Sequence, residues 1–264
     1  MRLALFFLGG LSLAAAQDPV KDRLEKSPRH MEWITVKNGE RTVHAFIAYP
    51  EVKEKAPVVV IIHEIFGLSD WVRSVADQLA ERGYIAIAPD LLSGMGPKGG
   101  KTSDFESGDA VRAAIGKLPP EQVTADLQAV CDYGKKDPAC NGKVAVGGFC
   151  WGGMQTFRFA TNRADLAAAY VFYGRGVETA EEIARIACPV YGFYAEKDDR
   201  VNATIPKSEE LMKAAKKTFE PVTYKGGGHG FMRAGEMNPK DEGNAKARDE
   251  AWTRWAELLK KLKN

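Results

Sequence analysis

Histidine and cysteine are both scarce in this chain, with four of each among 264 residues. No two cysteines form a C-x-x-C pair, which argues against thiol-redox chemistry, and no His/Cys cluster has metal-ligand spacing, so neither a metal nor any other cofactor is expected. An excess of one charge is lacking too: 37 basic residues face 35 acidic ones, for a formal net charge of +2. The basic residues are scattered, and the short run at Lys260-Lys261 reads as the solvated face of an amphipathic terminal helix. Such a chain has no electrostatic footprint for nucleic acid. Beyond residues 3–13, an apolar run too short for an ordinary membrane span, no segment is apolar enough to cross a bilayer. No internal repeat or low-complexity linker divides the chain.

The apolar run has a different meaning. Met1-Arg2, the apolar stretch 3–13 and the small residues Ala14-Ala15-Ala16 before Gln17 follow the order of a signal peptide. Residues 1–16 are expected to be removed, leaving 17–264 as one exported domain, periplasmic or secreted, with no membrane attachment. Loss of Arg2 takes the net charge from +2 to +1. An oxidising compartment permits disulfides, and Cys131 and Cys140, joined by a polar segment containing Asp137-Pro138, are expected to pair. Cys188, before Pro189 at a strand start, is expected to be buried and inert, so Cys150 is left as the free thiol.

Short apolar segments at 58–62, 84–89, 144–147, 166–172, 190–194 and 221–224 alternate with helical stretches. That alternation predicts a single α/β domain with a mostly parallel central sheet flanked by helices. Residues 33–36 and 41–49 can form a hairpin about Asn38-Gly39, and 69–82 has a helical pattern.

The segment Gly147-Gly148-Phe149-Cys150-Trp151-Gly152-Gly153 carries the most chemistry. A β-branched run precedes it and a helical pattern follows at once, so Cys150 stands at the centre of a G-x-nucleophile-x-G elbow with Gly148 and Gly152 at the two crowded positions. A helix starting at Trp151 aims its free N–H groups and positive dipole end at the sulfur. On the plain alternative, this is a glycine-rich turn holding an inert buried cysteine.

An elbow enzyme should supply nucleophile, acid and histidine in that order. The apolar segment from Cys188 runs into Glu196-Lys197-Asp198-Asp199-Arg200-Val201, where Asp198 is the expected acid and Asp199 its rival, since Val201 can anchor the loop with Asp198 turned inward. Residues 219–225 open into Gly226-Gly227-Gly228-His229-Gly230-Phe231, where the glycines let the backbone bring His229 close to another loop as the base. His63, closing the strand 58–62, reads instead as a strand-end histidine satisfied by hydrogen bonds. Glu64 follows it, where an oxyanion hole is normally built. Beside a thiol, such a carboxylate would compete for the histidine and disfavour the thiolate; alternatively it caps the helix at 69–82. The N–H groups of Ile65 and Trp151 are the candidate oxyanion hole.

Together, His63-Glu64-Ile65-Phe66-Gly67, Ala88-Pro89-Asp90-Leu91, Gly142-Lys143-Val144, Gly148-Phe149-Cys150-Trp151-Gly152-Gly153, Asp198 and Gly228-His229-Gly230-Phe231-Met232-Arg233 resemble the dienelactone hydrolase family of the α/β-hydrolase superfamily, from about Val43 onward. The resemblance implies an α/β-hydrolase fold and a cysteine nucleophile, Cys150, in a triad with Asp198 and His229. It implies a glutamate, Glu64, that changes partner between resting and active states, and Arg233 holding a substrate carboxylate. It also implies a second carboxylate-binding arginine, but the corresponding position lies near Gly108; Arg112, one turn away, is either its replacement or a solvated helix residue. Phe66, Trp151, Phe231 and Arg233 are candidates to line the pocket, with ordinary core packing as the alternative for the aromatics. The expected partner is a small ester or lactone carrying a carboxylate, and the expected assembly a monomer or weak oligomer. A carboxylesterase or sugar esterase with the same machinery, or a catalytically silent binding protein, are the competing readings.

Overall fold

The computed structural model describes residues 18–263, so the expected signal peptide lies outside the described residues. Eight strands form one sheet in the order β1-β2-β4-β3-β5-β6-β7-β8. They are β1 (Met31–Asn38), β2 (Arg41–Ala48), β3 (Ala56–Ile62), β4 (Ile85–Pro89), β5 (Cys140–Phe149), β6 (Ala169–Phe172), β7 (Val190–Lys197) and β8 (Phe219–Gly228). The first two pair antiparallel, β2 pairs antiparallel with β4, and every later pairing is parallel. The hairpin turn sits one residue later than Asn38-Gly39 suggests: Asn38 pairs with Arg41, and Gly39 takes the left-handed φ of 60° that the turn requires.

Among the described residues, ten α-helices join and cover the strands: α1 (Pro19–Lys26), α2 (Asp70–Glu81), α3 (Gly108–Ile115), α4 (Pro120–Lys136), α5 (Trp151–Ala160), α6 (Ala180–Ala184), α7 (Asp199–Asn202), α8 (Ile205–Ala214), α9 (Phe231–Met237) and α10 (Glu242–Lys260). A fully buried strand such as β3 needs apolar cover on both faces, and its alternation supplies it. Val59 and Ile61 join one core with Trp71 and Val75 of α2 and Trp255 of α10. Val58, Val60 and Ile62 join the opposite core with Leu127 and Val130 of α4 and Phe157 of α5.

The expected disulfide is not formed. Cys131 and Cys140 are both buried free thiols. Cys131 points from α4 into the second core, where burial pushes its thiol up to about 12, while the Cys140 sulfur turns into its own strand's bend and accepts from the Gly142 N–H at 3.2 Å. Proximity in sequence does not by itself aim two sulfurs at each other. Cys188 is buried and free, as expected.

The register gathers the chemistry at the carboxyl ends of the parallel strands. Ile62 lies beside Gly148, Phe149 beside Phe172, and Lys197 beside Gly228. The residues that leave those strands are therefore Glu64, Cys150, Tyr173, Asp198 and His229. Chain order reverses direction between β3 and β5, the switch point at which open α/β sheets form their crevice.

Candidate active site

Cys150 has φ 57° and ψ −115°, a strained conformation for a residue with a side chain. Its N–H donates to the carbonyl of Phe172 at 3.0 Å, and α5 begins at the next residue. The flanking glycines are required by contact: a Cβ on Gly148 would strike the carbonyl oxygen of Gly152, and one on Gly152 would strike the carbonyl oxygens of Ile62 and His63. Local sequence thus forces a tight turn that lifts the sulfur off the sheet.

His229 Nε2 lies 3.1 Å from the Cys150 sulfur, and its Nδ1 lies 2.5 Å from Asp198 Oδ2. The ring therefore bridges thiol and carboxylate. Asp198 is buried while Asp199 is exposed, and Val201 is buried beneath the loop, which decides between the two acids. The contact with the sulfur raises the His229 pKa; burial opposes this and the Asp198 hydrogen bond adds to it, for a value of about 9. Gly230, at φ 79°, lets the chain turn straight from His229 into α9.

Glu64 is buried, with its Oε2 accepting from Arg233 Nε at 2.8 Å and its Oε1 from the Tyr173 hydroxyl at 3.5 Å. Burial raises its pKa, against the opposing pull of the guanidinium. The expected competition between Glu64 and the thiol for His229 is not the arrangement found, because Arg233 takes the carboxylate and leaves the ring to Cys150. Nor does Glu64 cap α2, whose N-cap is Ser69. His63 is a satisfied strand-end histidine: Nδ1 donates to the Glu64 carbonyl at 2.8 Å, and Nε2 accepts from the Leu91 N–H at 3.4 Å. Its ring stacks on Trp151, with centroids 5.5 Å apart, and burial pushes its pKa down.

A cleft of about 360 Å³ opens over the sulfur, lined by Ile65, Trp151, Met154, Tyr173, Arg175, Arg200, Val201 and His229. The other expected substrate residues gather elsewhere. Phe66 and Arg233 line a neighbouring cleft of about 250 Å³, with the guanidinium 4.8 Å from the Phe66 ring. Arg112 reaches the same ring at 5.8 Å while paired with Asp109 within α3. The ion pair with Glu64 is what draws Arg233 to that side. Phe231 is fully buried in the first core and lines neither cleft.

Sequence reasoning overlooked Tyr173, Arg175 and Arg200. Tyr173 holds a left-handed φ of 39°, is buried, and packs edge-on to His229 with centroids 5.2 Å apart. A tyrosine before a glycine at a strand end carries no motif; only the β5–β6 register places it beside Cys150.

Residues 43–263 match the model of the dienelactone hydrolase family. The chain belongs to that family. It shares 31% identity over 199 residues with a Salmonella typhi protein named "Putative carboxymethylenebutenolidase", covering 71% of this chain and 72% of that protein. A Yersinia pestis protein of the same name is 29% identical over 214 residues, covering 76% and 79%. The crystal structure of a "Putative Dienelactone Hydrolase" from Klebsiella pneumoniae superposes with a TM-score of 0.74 at 24% identity, covering 88% of this chain and 98% of that one. The α/β-hydrolase fold that the resemblance implies is therefore the fold of this hydrolase, and the family match spans the stretch from about Val43 onward that the resemblance covers.

Proposed function

We propose that this hydrolase cleaves esters or lactones by covalent catalysis at Cys150. The observation that carries the reading is His229 held between the Cys150 sulfur at 3.1 Å and Asp198 at 2.5 Å. Cys150 gives its proton to His229 as its sulfur attacks the substrate carbonyl, and the negative charge passes to the carbonyl oxygen, which accepts hydrogen bonds from the Ile65 and Trp151 N–H groups. Collapse of that intermediate breaks the bond to the alkoxy oxygen, and His229 gives that oxygen its proton. The ring suits this step, since the sulfur and Asp198 raise its pKa and make it able to take up and hold the proton it delivers. Water, deprotonated by His229, then cleaves the thioester, and the ring returns that proton to the departing sulfur to restore the thiol. In a lactone the leaving oxygen stays attached to the acyl chain, so prompt protonation prevents the ring from closing again. Glu64 and Arg233 form the resting pair beside this centre, and Glu64 is the group that changes partner when substrate arrives.

The Cys150→Ala variant should fold as the parent does and lose p-nitrophenyl ester turnover by about 10³-fold or more, and iodoacetamide should label Cys150 as activity falls. Undiminished turnover in that variant would remove the mechanism. The same reading has residues 1–16 direct export, so the exported protein should begin at Gln17 by intact mass; a retained amino terminus on exported protein rejects it.

A further inference from the structure

Arginine is used consistently in this molecule, with two exceptions. Arg23, Arg29, Arg41, Arg73, Arg82, Arg112, Arg158, Arg163, Arg185, Arg233 and Arg248 each hold a carboxylate, and Arg254 donates to the carbonyls of Gly192 and Glu220. Among the described residues, Arg175 and Arg200 alone have no oxygen partner; Arg175 reaches only the Met154 sulfur, at 3.9 Å. Both line the cleft over Cys150, and that lining contains no carboxylate. The coincidence is informative. Guanidinium groups with vacant donors in one concave wall match a planar oxyanion, and a wall without counter-charge raises the local concentration of one.

Their place in the sheet gives the direction. Arg175 follows β6 and Arg200 lies in α7 after β7, whereas Ile65 follows β3 and Trp151 opens the helix after β5. The carbonyl oxygen therefore points toward the β3 side, and the opposite side of the sulfur is the cationic one. Arg233 is engaged by Glu64 and lines the neighbouring cleft.

We propose that Arg175 and Arg200 form the anion subsite of this cleft, selecting esters or lactones whose carboxylate extends to the β6–β7 side of the scissile carbonyl. The subsite rests on the esterase reading of Cys150 and fixes its substrate class by residues other than Arg233 and Arg112. The pair is exposed, so each guanidinium should contribute a screened interaction rather than a buried lock.

The test compares two p-nitrophenyl esters of one chain length, one ending in a carboxylate and one in a methyl group, on the intact protein. For the parent, kcat/KM should favour the acidic ester, and 0.5 M NaCl should erode that preference. In the Arg175→Ala/Arg200→Ala double variant, the ratio of acidic to neutral kcat/KM should fall about tenfold, through KM for the acidic ester. Arg175→Lys/Arg200→Lys should recover part of the ratio by restoring charge without the fork. A ratio unchanged in the double variant, with both esters still turned over, overturns the subsite alone. So does a ratio that collapses in Arg233→Ala and not in the double variant. No turnover of either ester by the parent strikes the esterase reading instead.

Discussion

Asp77 and Glu64 are both carboxylates buried against arginine, and burial alone would raise the pKa of each. Asp77, on α2, receives Arg29 through two nitrogens at 2.6 and 2.9 Å and the Ser27 hydroxyl at 2.5 Å, and Arg23 adds its charge in an ion pair at 2.7 Å. Burial pushes its pKa up, but these donors outweigh it, and the pKa ends below the usual value. Glu64 receives one guanidinium nitrogen at 2.8 Å and a hydroxyl at 3.5 Å, so burial wins and its pKa ends above the usual value. The number of donors, and not the presence of an arginine, decides whether a buried acid is locked or poised. Asp77 ties the segment around α1 to the domain. Glu64, between Arg233 and Tyr173, is held by fewer donors.

Breaking the locked acid should have the larger effect on folding. Asp77→Ala leaves two guanidiniums facing an emptied site and should cost about 3 kcal/mol, a fall in Tm of roughly 6–12 °C for a chain of this length. Because the folded pKa of Asp77 lies below its unfolded value, its stabilisation is complete above the unfolded pKa, near 3.9, and is lost as pH falls through the folded value. The difference in Tm between parent and variant should therefore shrink below about pH 4; a constant difference would mean that Asp77 acts by packing and not by charge. Glu64→Gln should sharpen the contrast from the other side. Its folded pKa is raised, so the ionised form is penalised as pH rises, and the amide should match or exceed the parent's stability at pH 7 by up to about 1 kcal/mol. That advantage should vanish near pH 4, where both proteins carry a neutral side chain, while ester turnover falls at every pH. A strongly destabilised Glu64→Gln protein would end the distinction.

How much of this was legible depends on what each signal encodes. The parallel sheet and the trio Cys150, Asp198 and His229 follow from local rules, since apolar segments mark strands and the residues just beyond them mark strand ends. Even the choice of Asp198 over Asp199 came from the anchoring of Val201. The failures concern direction. Spacing in the sequence suggests pairing Cys131 with Cys140 but says nothing of where their sulfurs point. At rest Arg233 is held by Glu64, a pairing that no local signal in the sequence announces. Arg175, in the loop after β6, and Arg200, in α7, stand in segments of ordinary composition, and only the order β5-β6-β7 in the sheet makes them neighbours of the sulfur.

One irregularity in the sheet reaches further than its size. Between Ala195 and Lys197 the pairing of β7 with β8 slips: Ala195 faces Tyr224, but Lys197 faces Gly228. Had the ladder kept its count, Lys197 would face Gly226 and Asp198 would face Gly227, two residues short of the imidazole. The slip works as a vernier, bringing two separately folded strand ends into phase. It also gives the triple glycine a mechanical task, as Gly226 takes φ 78° where the slack is absorbed. The distance between acid and base is thus set by residue counting, and a single deletion in 226–228 would put the acid and the ring out of step while leaving every catalytic side chain intact.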